Sequence, residues 1–328
     1  MYYSSEIIVA VIPVLNHYVN TLGPGDAFRD WLVDTLGDRI KNKYCKVEVF
    51  KYSPSSHTVC RYKFKGEKYS VIVKFFAEPT GELKRYNASE AMVREYNNLM
   101  AARPIINVPM PIAIHQDFNC ALVTEYISGR SLTWYLSHEN DLYDKLTSVA
   151  HMQHRLHEHT RHDYYDKKKD FANFHKVLDH LNLDRPIREH FDQLLGKWWY
   201  SSLLDLKQGC MIHRDATPSN YIFRKDILYV LDLESSWYNA HYALDLGIMC
   251  SELKNHFQLQ RGSGELAEPY IGHFLWHYSK NESDFLRITK IVPFFMGLGF
   301  LRSARLHRHY THHKYLIKEA AACLTSLE

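Results

Sequence analysis

From residue 45 onward the apolar positions of this chain recur every second residue. The runs 46–53 (KVEVFKYS), 58–66 (TVCRYKFKG) and 68–76 (KYSVIVKFF) alternate apolar and polar side chains, the signature of half-buried strands. Their links, SPSSH and GEK, are short and polar, so the strands are expected as antiparallel neighbours. Ahead of them, residues 1–44 predict a mainly helical extension, because PGDAFRDWLVDTLGDRI spaces its apolar residues by three and four. Behind them, ASEAMVREYNNLMAA predicts a helix stopped near Pro104, and VPMPIAIHQDFNCALVTEY predicts strand structure turning at QDFN. After the polar break ISGRS, helical periodicity covers about 131–160 and 170–206 and resumes near Leu244. Only the turn MIHRDATPSN and its short flanking strands interrupt it.

This order predicts an α+β chain with a helical extension (1–44), a small antiparallel-sheet lobe with one helix (45–127), and a larger, mainly helical lobe (128–328). A cleft between unequal lobes is a natural place for a cofactor.

Composition narrows the class. The chain has 328 residues, 46% hydrophobic and 23% charged, the profile of a folded globular protein. A net charge of +3 is too small to argue for nucleic acid as a partner. The opening run EIIVAVIPVLNHYV is broken by Pro13 and Asn16 and is too short to span a bilayer. Six scattered cysteines form no C-x-x-C unit, which suits a reducing cytoplasm. Two histidine-rich segments, HMQHRLHEHTRH and HRHYTHHK, read as solvated helix faces.

The chemistry concentrates in two stretches. HRDATPSN releases His213, Asp215 and Asn220 in one turn, and YIFRKDILYVLDLE returns as a hairpin to deliver Asp232 and Glu234. An amide oxygen and a carboxylate at Asn220 and Asp232 suit Mg²⁺, a hard ion that takes oxygen ligands. Asp215 can then accept or orient a substrate hydroxyl proton, while His213 reads as a scaffold for the loop. Lys74, in the strand SVIVKFF, can neutralise nucleotide phosphates. Its acidic partner must come from the next helix, where Glu90 and Glu95 lie on different faces; Glu95 is the expected one. Glu234 is either a residue behind the metal or a cap for the following turn.

Taken in order, VIVKFF, REYNNL, VPMP, LVTEYISGRSL, HRLHEH, IHRDATPSNYIF, VLDLESS and ALDLGIM resemble the aminoglycoside phosphotransferase and choline kinase group of protein-kinase-like enzymes, over about residues 45–310. The resemblance implies a two-lobed kinase-like fold, with ATP and Mg²⁺ as cofactors. It implies Asp215 as catalytic base, Asn220 and Asp232 on magnesium, and Lys74 on the ATP phosphates. Glu125, Tyr126 and Ile127 would lie in an interlobe linker whose backbone holds adenine, and Asp245 would brace the catalytic loop. Three departures stand out. Arg214 replaces the usual Gly, Glu234 occupies the third place of the metal motif, and the phosphate loop has Ser53, Ser55 and Ser56 instead of glycines, whose backbone and hydroxyls can still form an anion nest.

Only about eleven residues separate Asp232 from Leu244, too few for a peptide-binding activation segment. The expected acceptor is a small molecule with a hydroxyl, a sugar or sugar-like alcohol before an amino alcohol, and an aminoglycoside last. Trp237 and Tyr238 could stack on it. A nucleotide-binding regulatory module of pseudokinase type and a kinase with a macromolecular acceptor are the alternatives.

Overall fold

The structure is a computed structural model that describes residues 15–53, 55–77, 86–162, 164–306 and 310–327. The apolar opening run up to residue 14, and residues 307–309 of the second histidine-rich segment, lie outside the described residues. The chain divides into two compact units. Residues 15–129 and 229–234 belong to the first, residues 130–228 and 235–327 to the second.

The first unit contains β1 (Leu15–Leu22), α1 (Ala27–Leu36), β2 (Val47–Ser53), β3 (Thr58–Phe64), β4 (Ser70–Phe75), α2 (Ala88–Ala102), β5 (Pro111–His115) and β6 (Ala121–Glu125). Its sheet runs β1-β2-β3-β4-β6-β5, with every neighbouring pair antiparallel. Two features correct the expected helical extension. Residues 15–22 form a strand, because the free edge of β2 offers LNHYVNTL a hydrogen-bonding ladder that outweighs local propensity. Helix α1 is part of the unit's core, with Leu32, Val33 and Leu36 packed against Val47, Val49, Val71 and Val73. Strand alternation fixes the rest. Val71 and Val73 face that core, so Lys74 must face the other side of the sheet, toward α2.

The second unit contains β7 (Arg130–Ser131), α3 (Leu132–His138), α4 (Leu142–His159), α5 (Lys168–Asp179), α6 (Arg185–Tyr200), β8 (Cys210–Ile212), β9 (Tyr221–Arg224), β10 (Ile227–Val230), β11 (Trp237–Ala240), α7 (Ala243–Arg261), α8 (Glu268–Tyr278), α9 (Glu282–Leu306) and α10 (Tyr310–Thr325). Two small sheets, β10-β9-β7 and β11-β8, flank the turn 213–220. Among the described residues no helix is long and apolar enough to cross a membrane.

Helices α7 and α9 cross at two glycines. A Cβ on Gly247 would lie 2.4 Å from the Phe295 Cβ, and one on Gly299 would lie 2.0 Å from the Ser251 Oγ. This approach fixes where α7 presents Asp245 and where α9 presents Arg302. Gly247→Ala is therefore expected to overpack the crossing and cost about 1–3 kcal/mol in urea unfolding. Gly272, with nothing near its missing Cβ, is the control, and Gly272→Ala should leave the midpoint unchanged or raised.

Candidate active site

In the first unit the centre is an ammonium group ringed by carboxylates. Lys74 Nζ donates to Glu95 Oε2 and Asp232 Oδ1, both at 2.8 Å, and lies 3.0 Å from Glu234 Oε2. Local sequence explains each placement. Residues 91, 95, 98 and 102 of α2 share one buried stripe, so Glu95 turns inward while Glu90 stays exposed. Asn98 on the same stripe donates to the Leu233 carbonyl at 2.7 Å, and Arg94 donates to the Glu234 carbonyl at 3.1 Å. Together they hold the segment that carries Asp232, which adopts the left-handed region at φ 56°.

Burial works to lower the Lys74 pKa, but attraction from Asp232, Glu95 and Glu234 outweighs it and holds the ammonium well above the ordinary lysine range. One cation cannot balance three anions equally. Glu95, buried and repelled by its two neighbours, is pushed up to about 7 despite the pull of Lys74. The three carboxylates bring oxygens within 4.8 Å of one another, a concentration of negative charge that Lys74 balances only in part.

The remaining residues expected for nucleotide binding occupy two loops of this unit. Ser55 is half-buried and Ser56 exposed in the β2–β3 turn. Beside them His57, which carried no signal in the sequence, donates from Nε2 to Glu234 Oε2 at 2.9 Å. Glu125 ends β6, and Tyr126 and Ile127 follow it. The Glu125 N–H donates to the Met110 carbonyl at 2.9 Å, and the Arg61 guanidinium lies 4.0 Å over the Tyr126 ring.

In the second unit the centre is a buried acid. Asp245, in the first turn of α7 and 0% exposed, accepts from the backbone N–H of His213 and of Arg214, both at 2.7 Å. His157 Nε2 lies 3.1 Å from the same carboxylate. The first histidine-rich segment is thus not a solvated face throughout: α4 turns His157 into the core, where its other nitrogen meets the Tyr278 hydroxyl at 2.9 Å. His213, also buried, accepts from the Asp215 N–H at 3.3 Å and stiffens the loop. Arg214 sits in the left-handed region at φ 66°, a conformation that favours glycine; its guanidinium stacks 3.8 Å over the Trp237 ring, which offsets that cost.

Asp215 is held from both sides. Asn220 Nδ2 donates to the Asp215 carbonyl at 2.9 Å and to its Oδ2 at 3.3 Å. Arg302 donates to Asp215 Oδ1 at 2.9 Å and to the Arg214 carbonyl at 2.6 Å. Asn220 thus commits its amide nitrogen to Asp215. Arg302 carried no signal in the sequence, because it lies 87 residues from Asp215 inside an apolar helix.

A family model described as the phosphotransferase enzyme family matches residues 56–280. No curated protein matches the chain. Among solved structures, a choline kinase from Cryptosporidium parvum Iowa II is similar, with TM-score 0.55 and 16% identity over 90% of this chain and 93% of that one. A Plasmodium vivax ethanolamine kinase has TM-score 0.56 and 14% identity, covering 84% and 81%. An ADP-bound aminoglycoside phosphotransferase has TM-score 0.51 and 15% identity, covering 96% and 94%. At these identities the likeness is one of fold, the protein-kinase-like α+β fold.

Two predictions follow from the charges. A carboxyl whose pKa is raised by folding favours the folded state below its unfolded value and loses that advantage as pH rises through the folded value. Between pH 5 and 8 the wild-type urea midpoint should therefore fall with rising pH relative to Glu95→Gln; parallel curves would contradict the assignment. Asp245→Ala removes the buried acceptor for two loop N–H groups and His157, and should cost about 3–5 kcal/mol in urea unfolding.

Proposed function

The chain belongs to the phosphotransferase enzyme family, and from that premise we propose that it is a kinase moving the γ-phosphate of ATP, with magnesium, to a hydroxyl of a small molecule, a sugar or sugar-like alcohol before an amino alcohol. The observation that carries this reading is the fixed carboxylate of Asp215, clamped by Asn220 and Arg302 on a loop whose backbone is tied to Asp245. Phosphoryl transfer has little covalent work for a protein to do, so positioning of this kind is most of the catalysis.

Each residue has a stated part. Asp215 orients the acceptor hydroxyl and takes its proton as the new P–O bond forms. Lys74 turns from its carboxylates to the ATP phosphates, and Glu95 limits how far it can move. Asp232 and Asn220 are the proposed oxygen donors for magnesium, which when bound supplies charge neutralisation on the phosphates. Ser55 and Ser56 cover the phosphates, the segment Glu125, Tyr126 and Ile127 holds adenine, and His213 and Asp245 keep the loop rigid. Nucleotide use is supported by the ADP carried by one similar structure.

The acceptor preference rests on charge. A hydroxyl in contact with Asp215 lies beside the Arg302 guanidinium, and Arg214 stacks on Trp237 close by. A cationic group brought to about 6 Å from Arg302, at an effective dielectric near 20, meets a repulsion of about 3 kcal/mol from the guanidinium, which the paired Asp215 carboxylate offsets in part. That disfavours polycationic acceptors and favours neutral ones.

ADP release measured over a panel of sugars, amino alcohols and aminoglycosides tests the proposal, with the highest turnover expected among the sugars. Asp215→Asn should lower turnover by about 10²- to 10⁴-fold while ATP binding persists. Unchanged turnover would remove the mechanism. Arg302→Gln should lower sugar turnover and shift the acceptor ratio toward cationic alcohols.

A further inference from the structure

His57 and Lys74 converge on one oxygen. His57 Nε2 is 2.9 Å from Glu234 Oε2, and Lys74 Nζ is 3.0 Å from the same atom. His57 closes the turn that carries Ser55 and Ser56, so the segment proposed to cover phosphates is tied to the carboxylate that holds the phosphate-binding lysine. The ring is 6% exposed and packs between Phe76 and Tyr86, with centroids 5.0 and 5.9 Å away. Its second nitrogen, Nδ1, is buried without a hydrogen-bond partner.

We propose that His57 and Glu234 form a latch that seats the β2–β3 turn for nucleotide phosphates, doing by tethering what glycine-rich loops do by close backbone approach, and that Glu234 is therefore a loop anchor and not a metal ligand. This rests on the kinase reading above. Three observations favour it. A glycine loop admits phosphates because it has no side chains, at the cost of conformational freedom that binding must remove. Ser55, Ser56 and His57 have less of that freedom to lose than glycines, and a buried tie at His57 removes more, which pre-organises the donors. Next, the unpartnered Nδ1 is a group that stability alone would replace with carbon; a histidine kept in an aromatic clamp at that cost has a purpose at its other nitrogen. Finally, Glu234 Oε2 is shared, so when Lys74 leaves it for a phosphate the histidine remains as its donor. Nucleotide capture by Lys74 and retention of the turn are thereby coupled.

His57 acts through the loop and is a positioning residue, so the test separates phosphate recognition from stability. Dissociation constants for ATP and for adenosine are measured by calorimetry on the full chain, with thermal melting alongside. His57→Leu should weaken ATP by about tenfold or more and leave adenosine unchanged, with a melting temperature within a few degrees of wild type, because loss of the bond to Glu234 and removal of the unpaired nitrogen act in opposite directions. His57→Gln, which keeps a donor at similar reach, should restore most of the ATP affinity. Glu234→Ala should match His57→Leu, and the double variant should be no worse than either single one. The Mg²⁺ concentration for half-maximal ATP binding should move less than twofold in Glu234→Gln. Equal ATP-to-adenosine ratios in wild type and His57→Leu would overturn the latch, as would additive losses in the double variant or a tenfold shift in Mg²⁺ dependence. Wild type that binds adenosine and ATP alike would overturn the latch and leave the fold intact, whereas wild type that binds neither would overturn the kinase reading with it.

Discussion

One ammonium serving three carboxylates is the constraint on which the first unit depends. Lys74 reaches its position because β4 alternates sides, and Glu95 meets it because α2 turns every fourth residue inward. Asp232 and Glu234 arrive from a distant part of the chain, held at their backbone by Asn98 and Arg94. Removing the lysine would leave three buried or half-buried anions facing one another, an arrangement that low polarisability makes costly. The site is therefore stable only while a cationic group occupies its middle. Chemistry that brings phosphates to Lys74 must bring compensating positive charge for the carboxylates, which is the reason a divalent cation suits the same place.

The second unit solves a different problem, that of holding a carboxylate still. Asp245 does it indirectly. Its two oxygens receive two consecutive backbone N–H groups, those of His213 and Arg214, a pattern that only a sharply turned chain can offer. The turn is made at Arg214 in the left-handed region, where an L side chain pays about 1–2 kcal/mol. Stacking on Trp237 and the bond from Arg302 to the Arg214 carbonyl return part of that. An arginine can stand where glycine is usual because its long side chain finds a face to lie on.

Much of this was legible in the sequence, and the reasons differ by residue. The strands 47–53, 58–64 and 70–75 follow a clean two-residue period, and α2 and the long helices follow theirs. The literal spacing of His213, Asp215 and Asn220 marked the loop, and the helical face rule separated Glu95 from Glu90. Residues 15–22 misled because a strand at a sheet edge is decided by its partner, β2, and not by its own pattern. His157 misled because one histidine in a run of them looks like the others; burial distinguishes it, and burial is a tertiary property. Arg302 and His57 gave no signal, since each acts on a residue far away in the chain, 87 positions for Arg302 and 177 for His57.

Four departures from local rules gather at the two sites. Asp232 and Arg214 hold positive φ, Glu95 is a carboxyl kept near its neutral point, and His57 carries a buried unpaired nitrogen. Each departure lowers stability, and each is surrounded by contacts that force it: Asn98 and Arg94 around Asp232, Trp237 beside Arg214, Lys74 against Glu95, Phe76 and Tyr86 about His57. Other departures lie outside the two sites, among them positive φ at Asn119, Glu139 and Asn182 and buried unpartnered ring nitrogens at His115 and His241. Strain of this kind persists where surrounding structure over-determines it and where selection acts on something besides stability. At Asp232 and Asp215 the contacts that hold the strained backbone also aim the charged groups, so strain and positioning there have one cause.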